Sequence, residues 1–189
     1  MQTESTLRTL SHNDKEISNF LNELGDINLE SSHYLLLAAG PNRSAKKSFL
    51  SRVEKNRGKL KEMSLREIIT QDEQEAYKNI DQLFDYIGET EKNLLFRHGD
   101  ILAGEYTAFS YSTVRYATPQ GKYFLNKIRN SETFIVIDMN DKDSTDKTLL
   151  RYAQAVVLFD EADSFFGKLK QITLNNHTFT NKRPALPTK

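Results

Sequence analysis

The sequence predicts an α+β fold, in which a helical N-terminal half precedes a mostly antiparallel β-sheet. In the first half, apolar residues recur at helical spacing. In the second half, short runs of β-branched or aromatic residues are separated by turn residues. Helices followed by strands are typical of α+β domains. The chain has 189 residues, enough for one domain with a substantial core.

The N-terminal region is expected to begin with disorder, because residues 1–13 are largely polar. Residues 14–88 form the predicted helical region. Its first helix follows from four apolar residues at i, i+3, i+4 and i+7: Ile17, Phe20, Leu21 and Leu24. Gly25 is the expected end of this helix.

The remainder of the helical region is read from three patterns. Residues 29–39 are apolar and fit a helix or a strand equally well. Residues 44–63 are basic, a pattern more typical of a solvated helix face than of a nucleic-acid patch. Ser64 and Glu67 resemble a capping box, which predicts a helix that continues to Gly88, with a break near residues 70–72 as the alternative.

The second half is predicted to be a β-rich core at residues 89–180. Its strands are expected at residues 94–96, 106–112, 133–139, 155–159, 169–174 and 178–180. A helix over residues 114–128, interrupted at Pro119, lies between them. Residues 181–189 contain two prolines and are expected to form a flexible tail.

Composition excludes several function classes. The chain has 26 basic and 26 acidic residues, so no global field favours nucleic acid or membranes. It lacks cysteine, and its four histidines are scattered, so no metal site is predicted. Neither a membrane-spanning apolar run nor a signal-peptide core is present. We expect a cytoplasmic protein, or one delivered into a host cell.

An acidic motif near the C-terminus resembles the strand end of AAA+ ATPases. In VVLFDEADSFFGK, Asp160 would hold magnesium and Glu161 would activate water. Such a site also needs the phosphate loop G-x-x-x-x-G-K-[ST]. Alignment of LLLAAGPNRSAKKSFL on Lys47 and Ser48 leaves no glycine before the lysine and one residue too many. An intact ATPase is therefore disfavoured, and a degenerate one is the least favoured hypothesis.

Four segments between residues 94 and 174 carry another resemblance: LFRHGD, AFSYST, TFIVIDM and GKLKQITL. Their order is similar to that in mono-ADP-ribosyltransferases of the arginine–serine–glutamate class. This resemblance implies an NAD-binding core in which Arg97 holds an NAD phosphate. It implies that Ser110 and Ser112 line the nicotinamide pocket, beside Tyr111 as a stacking wall.

The catalytic acid implied by the resemblance depends on the alignment. If Gly167 matches the glycine that follows the family motif, Glu161 is the catalytic residue. If VVLF is matched instead, Gln154 takes that position and no catalytic acid remains. The first alignment is preferred, so Glu161 and Arg97 are the predicted catalytic residues.

The resemblance implies transfer of ADP-ribose from NAD to a macromolecular acceptor, most simply a protein. A bacterial effector, a toxin or a phage-encoded modifier would be the natural setting, and a degenerate relative would only bind NAD. The alternative is a non-catalytic protein-interaction domain. In that case Arg97 would simply pair with Asp100 or Glu105, and the acidic run would be a solvated turn.

Overall fold

A computed structural model describes residues 7–30, 32–103, 105–106, 115–116, 118–141 and 147–160. The strands are β1 (Arg8–Ser11), β2 (Tyr34–Ala39), β3 (Lys61–Ser64), β4 (Asn93–Arg97), β5 (Glu105–Tyr106), β6 (Arg115–Tyr116), β7 (Phe134–Met139) and β8 (Ala155–Leu158). The α-helices are α1 (Ile17–Gly25), α2 (Arg43–Arg57), α3 (Leu65–Ile68), α4 (Glu73–Thr90), α5 (Pro119–Arg129) and α6 (Lys147–Tyr152). A 3₁₀ turn covers Gly99–Leu102.

Six strands form one parallel sheet in the order β1-β8-β2-β7-β4-β3. The short strands β5 and β6 form a separate antiparallel pair. The fold is therefore α/β, and the predicted α+β fold with a mostly antiparallel sheet is wrong. The predicted helical N-terminal half is also wrong, because β2 and β3 lie within it and β2 is an inner strand of the sheet.

Burial on both faces explains the parallel sheet. Along β2, Leu35, Leu37 and Ala39 join a core cluster with residues of α4 and α5. Leu36 and Ala38 face the other way and join a second cluster with residues of α1 and α2. A strand covered by helices on both sides needs apolar residues at every position, not at alternate ones. This is why YLLLAA gave no strand periodicity.

Of the helix predictions for the N-terminal half, some are confirmed and others are wrong. The α1 prediction is confirmed, because Ile17, Phe20, Leu21 and Leu24 are its buried residues and it ends at Gly25. The capping-box prediction is wrong, since the Ser64 side chain caps nothing. The alternative break near residues 70–72 is present, because α3 ends at Ile68 and α4 begins at Glu73. The long helix α4 starts after Asp72, whose carboxylate accepts a hydrogen bond from the Glu75 amide at 2.8 Å.

The N-terminal segment that was expected to be disordered contains β1. This strand pairs with β8, and Leu10 is buried in the core. Pairing with a distant strand supplies the order that its own composition did not predict. None of the helices in the described ranges is long and apolar enough to cross a membrane.

The strand order creates a crevice at one edge of the sheet. The chain runs outward from β2 to β3, returns through β4 and β7, and then crosses to β8 on the other side of β2. Ligands of open α/β sheets bind outside the carboxyl ends of the strands, where the order reverses in this way. Here the carboxyl ends of β2, β4 and β7 meet, and they bring Gly40, Arg97 and Asp138 to one edge.

Candidate functional site

A cleft of about 430 Å³ lies at this edge, and we call it the carboxyl-edge cleft. Four basic side chains line it: Arg43, Lys46, Lys47 and Arg97. Two carboxylates, a histidine and an asparagine complete the lining: Glu62, Asp138, His98 and Asn140. The cleft therefore holds more positive than negative side chains.

The turn after β2 is built around Gly40. Its φ of +133° is rare for residues with a side chain. A Cβ at Gly40 would lie 2.2 Å from the carbonyl oxygen of Phe159, so the glycine allows β2 and the end of β8 to pack closely. Tight packing of two strand ends, and not the approach of a ligand, accounts for this glycine.

The loop amides between β2 and α2 already have partners inside the protein. The amide of Asn42 donates to the carbonyl of Phe159, and that of Arg43 donates to the carbonyl of Pro41. The amide of Ala45 donates to the side-chain oxygen of Asn42 at 3.1 Å. Phosphate loops cradle phosphates with free backbone amides. Because each already has an acceptor within the protein, these three amides are not free for that purpose.

Lys46 is the buried lysine of the site, only 2% exposed. Its ammonium group donates to Asp138 Oδ1 at 2.5 Å and to the carbonyl of Met139 at 2.9 Å. The alignment in the sequence analysis used Lys47 and Ser48, one residue further along the chain. Counted from Gly40, the lysine of G-x-x-x-x-G-K-[ST] falls on Lys46, with Ala45 in place of the second glycine and Lys47 in place of the hydroxyl residue.

Arg97 extends from the end of β4 to the same carboxylate. Its Nη1 donates to Asp138 Oδ2 at 2.7 Å, and its Nη2 donates to Glu62 Oε2 at 3.0 Å. Burial lowers the pKa of Arg97, but the hydrogen bonds to Glu62 and Asp138 raise it by more. As a result, the pKa of Arg97 lies above its ordinary value. Arg97 is therefore a fixed cation, and it shares the partly buried carboxylate of Asp138 with Lys46.

His98 follows Arg97 in a left-handed conformation, with φ of 61° and ψ of 39°. Few residues with a side chain adopt this conformation, which occurs most often in turns and at functional sites. Gly99 lets the turn press against β7, because a Cβ there would lie 2.2 Å from Ile137 Cγ2. Asp100 then accepts hydrogen bonds from the amides of Asn140 and Asp141. The turn thus fixes one wall of the cleft.

Two basic side chains of the cleft stand apart from this network. Arg43 and Lys47 lie four residues apart on α2, so they share one face of the helix. Both are exposed. Within the described ranges, neither side chain has a hydrogen-bond or ion-pair partner. They form the cationic rim of the cleft.

Only one predicted site residue can be located in the structure. Arg97 lines the cleft but pairs with Asp138 and Glu62, not with Asp100 as one alternative proposed. The other predicted site residues, Ser110, Tyr111, Ser112 and Glu161, lie outside the described residues, so their roles in NAD binding and catalysis stay predictions.

Asp160 and Gln154, the other residues of the two acidic-motif alignments, do not contribute to the cleft. Asp160 is exposed beyond β8, which lies on the opposite side of β2 from β4, and it does not line the cleft. Gln154 lies before β8, at the amino edge of the sheet, and its side-chain oxygen accepts a hydrogen bond from the Leu35 amide at 2.6 Å. The part of the chain that the structure describes contains no cluster of three or more His, Asp or Glu able to hold a metal ion.

Sequence reasoning missed Lys46 and Asp138, although both leave a signal. Lys46 falls on the apolar face of α2, at i, i+3, i+4 and i+7 with Phe49, Leu50 and Val53. Asp138 interrupts the apolar strand FIVIDM. A charged residue at a core position is rarely buried unless it is paired. A lysine on an apolar helix face and an aspartate in an apolar strand are therefore candidates to pair with each other.

Comparisons with known proteins describe the fold only. No protein-family model and no curated protein matches the sequence. A chain of the E. coli MS115-1 HORMA:CdnC:Trip13 complex superposes with a TM-score of 0.54 and 14% identity, covering 85% of this chain and 66% of that chain. The FIGL-1 AAA domain in complex with ADP gives a TM-score of 0.47 and 14% identity, covering 77% of this chain and 48% of that one.

Proposed function

We propose that this protein binds a phosphate-bearing ligand in the carboxyl-edge cleft without a metal ion and without hydrolysing the ligand. One observation carries the proposal. Asp138 and Glu62 balance the charges of Lys46 and Arg97, while the rim cations Arg43 and Lys47 have no partner in the described part of the chain. The cleft therefore has positive charge left over for an anion.

The same network argues against metal-dependent hydrolysis. Enzymatic phosphoryl transfer relies on Mg²⁺ and on a residue that positions or activates the nucleophile. Asp138 is paired with two cations, and Glu62 is paired with Arg97. A divalent cation would have to displace these pairs in a cleft that is already positive. Binding without turnover is the chemistry that fits the charges.

The ligand contacts would come from side chains on the rim. The guanidinium groups of Arg43 and Arg97 match the geometry of phosphate oxygens, and Lys47 adds a point charge. Arg97 is 33% exposed while it holds Asp138 and Glu62, so it also presents a surface to the cleft. A volume of about 430 Å³ lies within the range of small-molecule sites.

Isothermal titration calorimetry with pyrophosphate, ATP and NAD in EDTA tests this proposal. The double variant Arg43→Glu/Lys47→Glu should weaken binding at least tenfold, since each charge-assisted contact contributes about 1.5–3 kcal/mol. Lys59→Glu/Lys78→Glu is the matched control, because it makes the same charge change at exposed positions outside the cleft. Equal affinity in the two double variants would overturn the proposal.

NAD connects this experiment to the ADP-ribosyltransferase hypothesis. If NAD binds and nicotinamide is released, the site turns its ligand over and the non-catalytic proposal is wrong. If none of the three probes binds at millimolar concentration, ligand binding is excluded. The non-catalytic protein-interaction domain would then be the better hypothesis.

A further inference from the structure

A second cationic pocket, of about 540 Å³, lies at the opposite edge of the sheet, and we call it the amino-edge pocket. It is formed where α5 and α6 meet the residues that precede β2 and β8. Lys122 and Arg129 come from α5, and Arg151 comes from α6. No carboxylate is among its described lining residues, in contrast to the carboxyl-edge cleft.

The three cations of this pocket are not used by the fold. Lys122, Arg129 and Arg151 are all exposed. Within the described ranges, none of their side chains has a hydrogen-bond or ion-pair partner. Three unpaired cations around one concavity repel each other, and a bound anion relieves that repulsion.

The floor of the pocket is held rigidly by neutral polar groups. Gln154 is fixed because its side-chain oxygen accepts from the Leu35 amide at 2.6 Å. Its side-chain nitrogen therefore faces His33 Nε2, 3.4 Å away. The Tyr152 hydroxyl donates to Asn126 Oδ1 at 2.8 Å and ties α6 to α5. A preorganised floor lowers the entropic cost of binding.

We propose that the amino-edge pocket binds the phosphate group of a small phosphorylated molecule, with Arg129, Arg151 and Lys122 as its ligands. Arginine donates to two phosphate oxygens at once, which favours phosphate over a single carboxylate oxygen. The volume exceeds that of a bare phosphate and is in the range of small-molecule sites. This site is separate from the carboxyl-edge cleft, and neither proposal depends on the other.

The pKa of His33 should respond to a ligand in the amino-edge pocket. Because the Gln154 nitrogen is a donor, its bond to His33 Nε2 requires that nitrogen to be unprotonated. Burial lowers the pKa of His33, and hydrogen bonds to the backbone of Tyr152 and Arg129 oppose that shift only in part. The positive charge of the Arg129 side chain lowers the pKa as well. An anion bound to Arg129 would offset that charge. Ligand binding should therefore raise the pKa of His33.

The test is an NMR titration of the full chain with inorganic phosphate and then with AMP, read at the side-chain signals of Arg129, Arg151 and His33. Saturable shifts of these signals and a raised His33 pKa are expected. Saturable binding of inorganic phosphate would show that the phosphate group alone is sufficient. At least tenfold tighter binding of AMP would show that the organic part of the ligand contributes.

Four variants make the outcome decisive. Arg151→Glu should weaken phosphate binding about tenfold or more, and Arg151→Gln should weaken it less. Lys78→Glu should leave binding unchanged, because Lys78 is exposed and outside the pocket. The cleft variant Arg43→Glu/Lys47→Glu should also leave these signals unchanged. Shifts that do not saturate, or that persist at equal affinity in Arg151→Glu, would overturn the proposal.

Discussion

Replacing Asp138 by Asn should destabilise the protein by about 3 kcal/mol. The Lys46 side chain is 3% exposed and would keep only the carbonyl of Met139 as a strong partner. Arg97, at 33% exposed, would keep Glu62 and lose less, because solvent screens it. Removing one member of a buried pair usually costs about 3–5 kcal/mol, and the remaining partners reduce that figure. Urea denaturation monitored by circular dichroism measures the change.

Asp81→Asn provides a matched control. Asp81 also pairs with a lysine at 2.5 Å, Lys127, and also accepts a second hydrogen bond, from the Tyr123 hydroxyl. Asp81 and Lys127 are 44% and 35% exposed, however. Exposed pairs contribute about 0–1 kcal/mol, so this variant should change stability little. A loss below about 1 kcal/mol for Asp138→Asn would refute the inference that a carboxylate shared with the buried Lys46 holds the site together.

Three further predictions follow from backbone strain and burial. Gly58→Ala should lower the free energy of unfolding by about 2 kcal/mol, because φ is +99° there. The nearest atom to a Cβ at Gly58 is 3.4 Å away, so this loss comes from backbone strain and not from a clash. Gly40→Ala should lower it more in the same urea assay, because its Cβ would also collide with the backbone of Phe159. Since the folded pKa of His33 is lowered, stability should fall as pH decreases below 6.5, and His33→Gln should flatten that dependence in urea titrations across pH. Burial raises the pKa of Tyr34 to about 12, so stability should fall as pH rises from 10 towards 12. Tyr34→Phe should remove this loss together with a tyrosinate absorbance step near pH 12.

Local patterns predicted several elements but not the sheet. The apolar spacing of α1 gave both its buried face and its end, and the strands β4, β7 and β8 were found at residues 94–96, 133–139 and 155–159. The strand β2 could not be assigned, because a fully buried apolar run suits a helix or a strand. Without β2 as a strand, the alternation of strands and helices was hidden, and with it the parallel sheet.

Of the residues that line the carboxyl-edge cleft, only Arg97 was a predicted site residue, for a related reason. Arg97 was singled out as an anion-binding residue, and it does line the carboxyl-edge cleft. Its partners Glu62 and Asp138 are 35 and 41 residues away in sequence. Only the order of the strands brings these three together. Lys46 was not singled out, because Lys47 next to it supplied the lysine of the motif alignment.

The central claim is anion binding that needs no metal ion, and calorimetry of ATP with the wild-type chain tests it directly when it is run in EDTA and again in excess Mg²⁺. The charge network around Asp138 predicts binding in EDTA that Mg²⁺ does not strengthen, with no phosphate released in either buffer. Binding that appears only with Mg²⁺, or release of phosphate, would contradict the account, because it would require carboxylates that the structure pairs with Lys46 and Arg97.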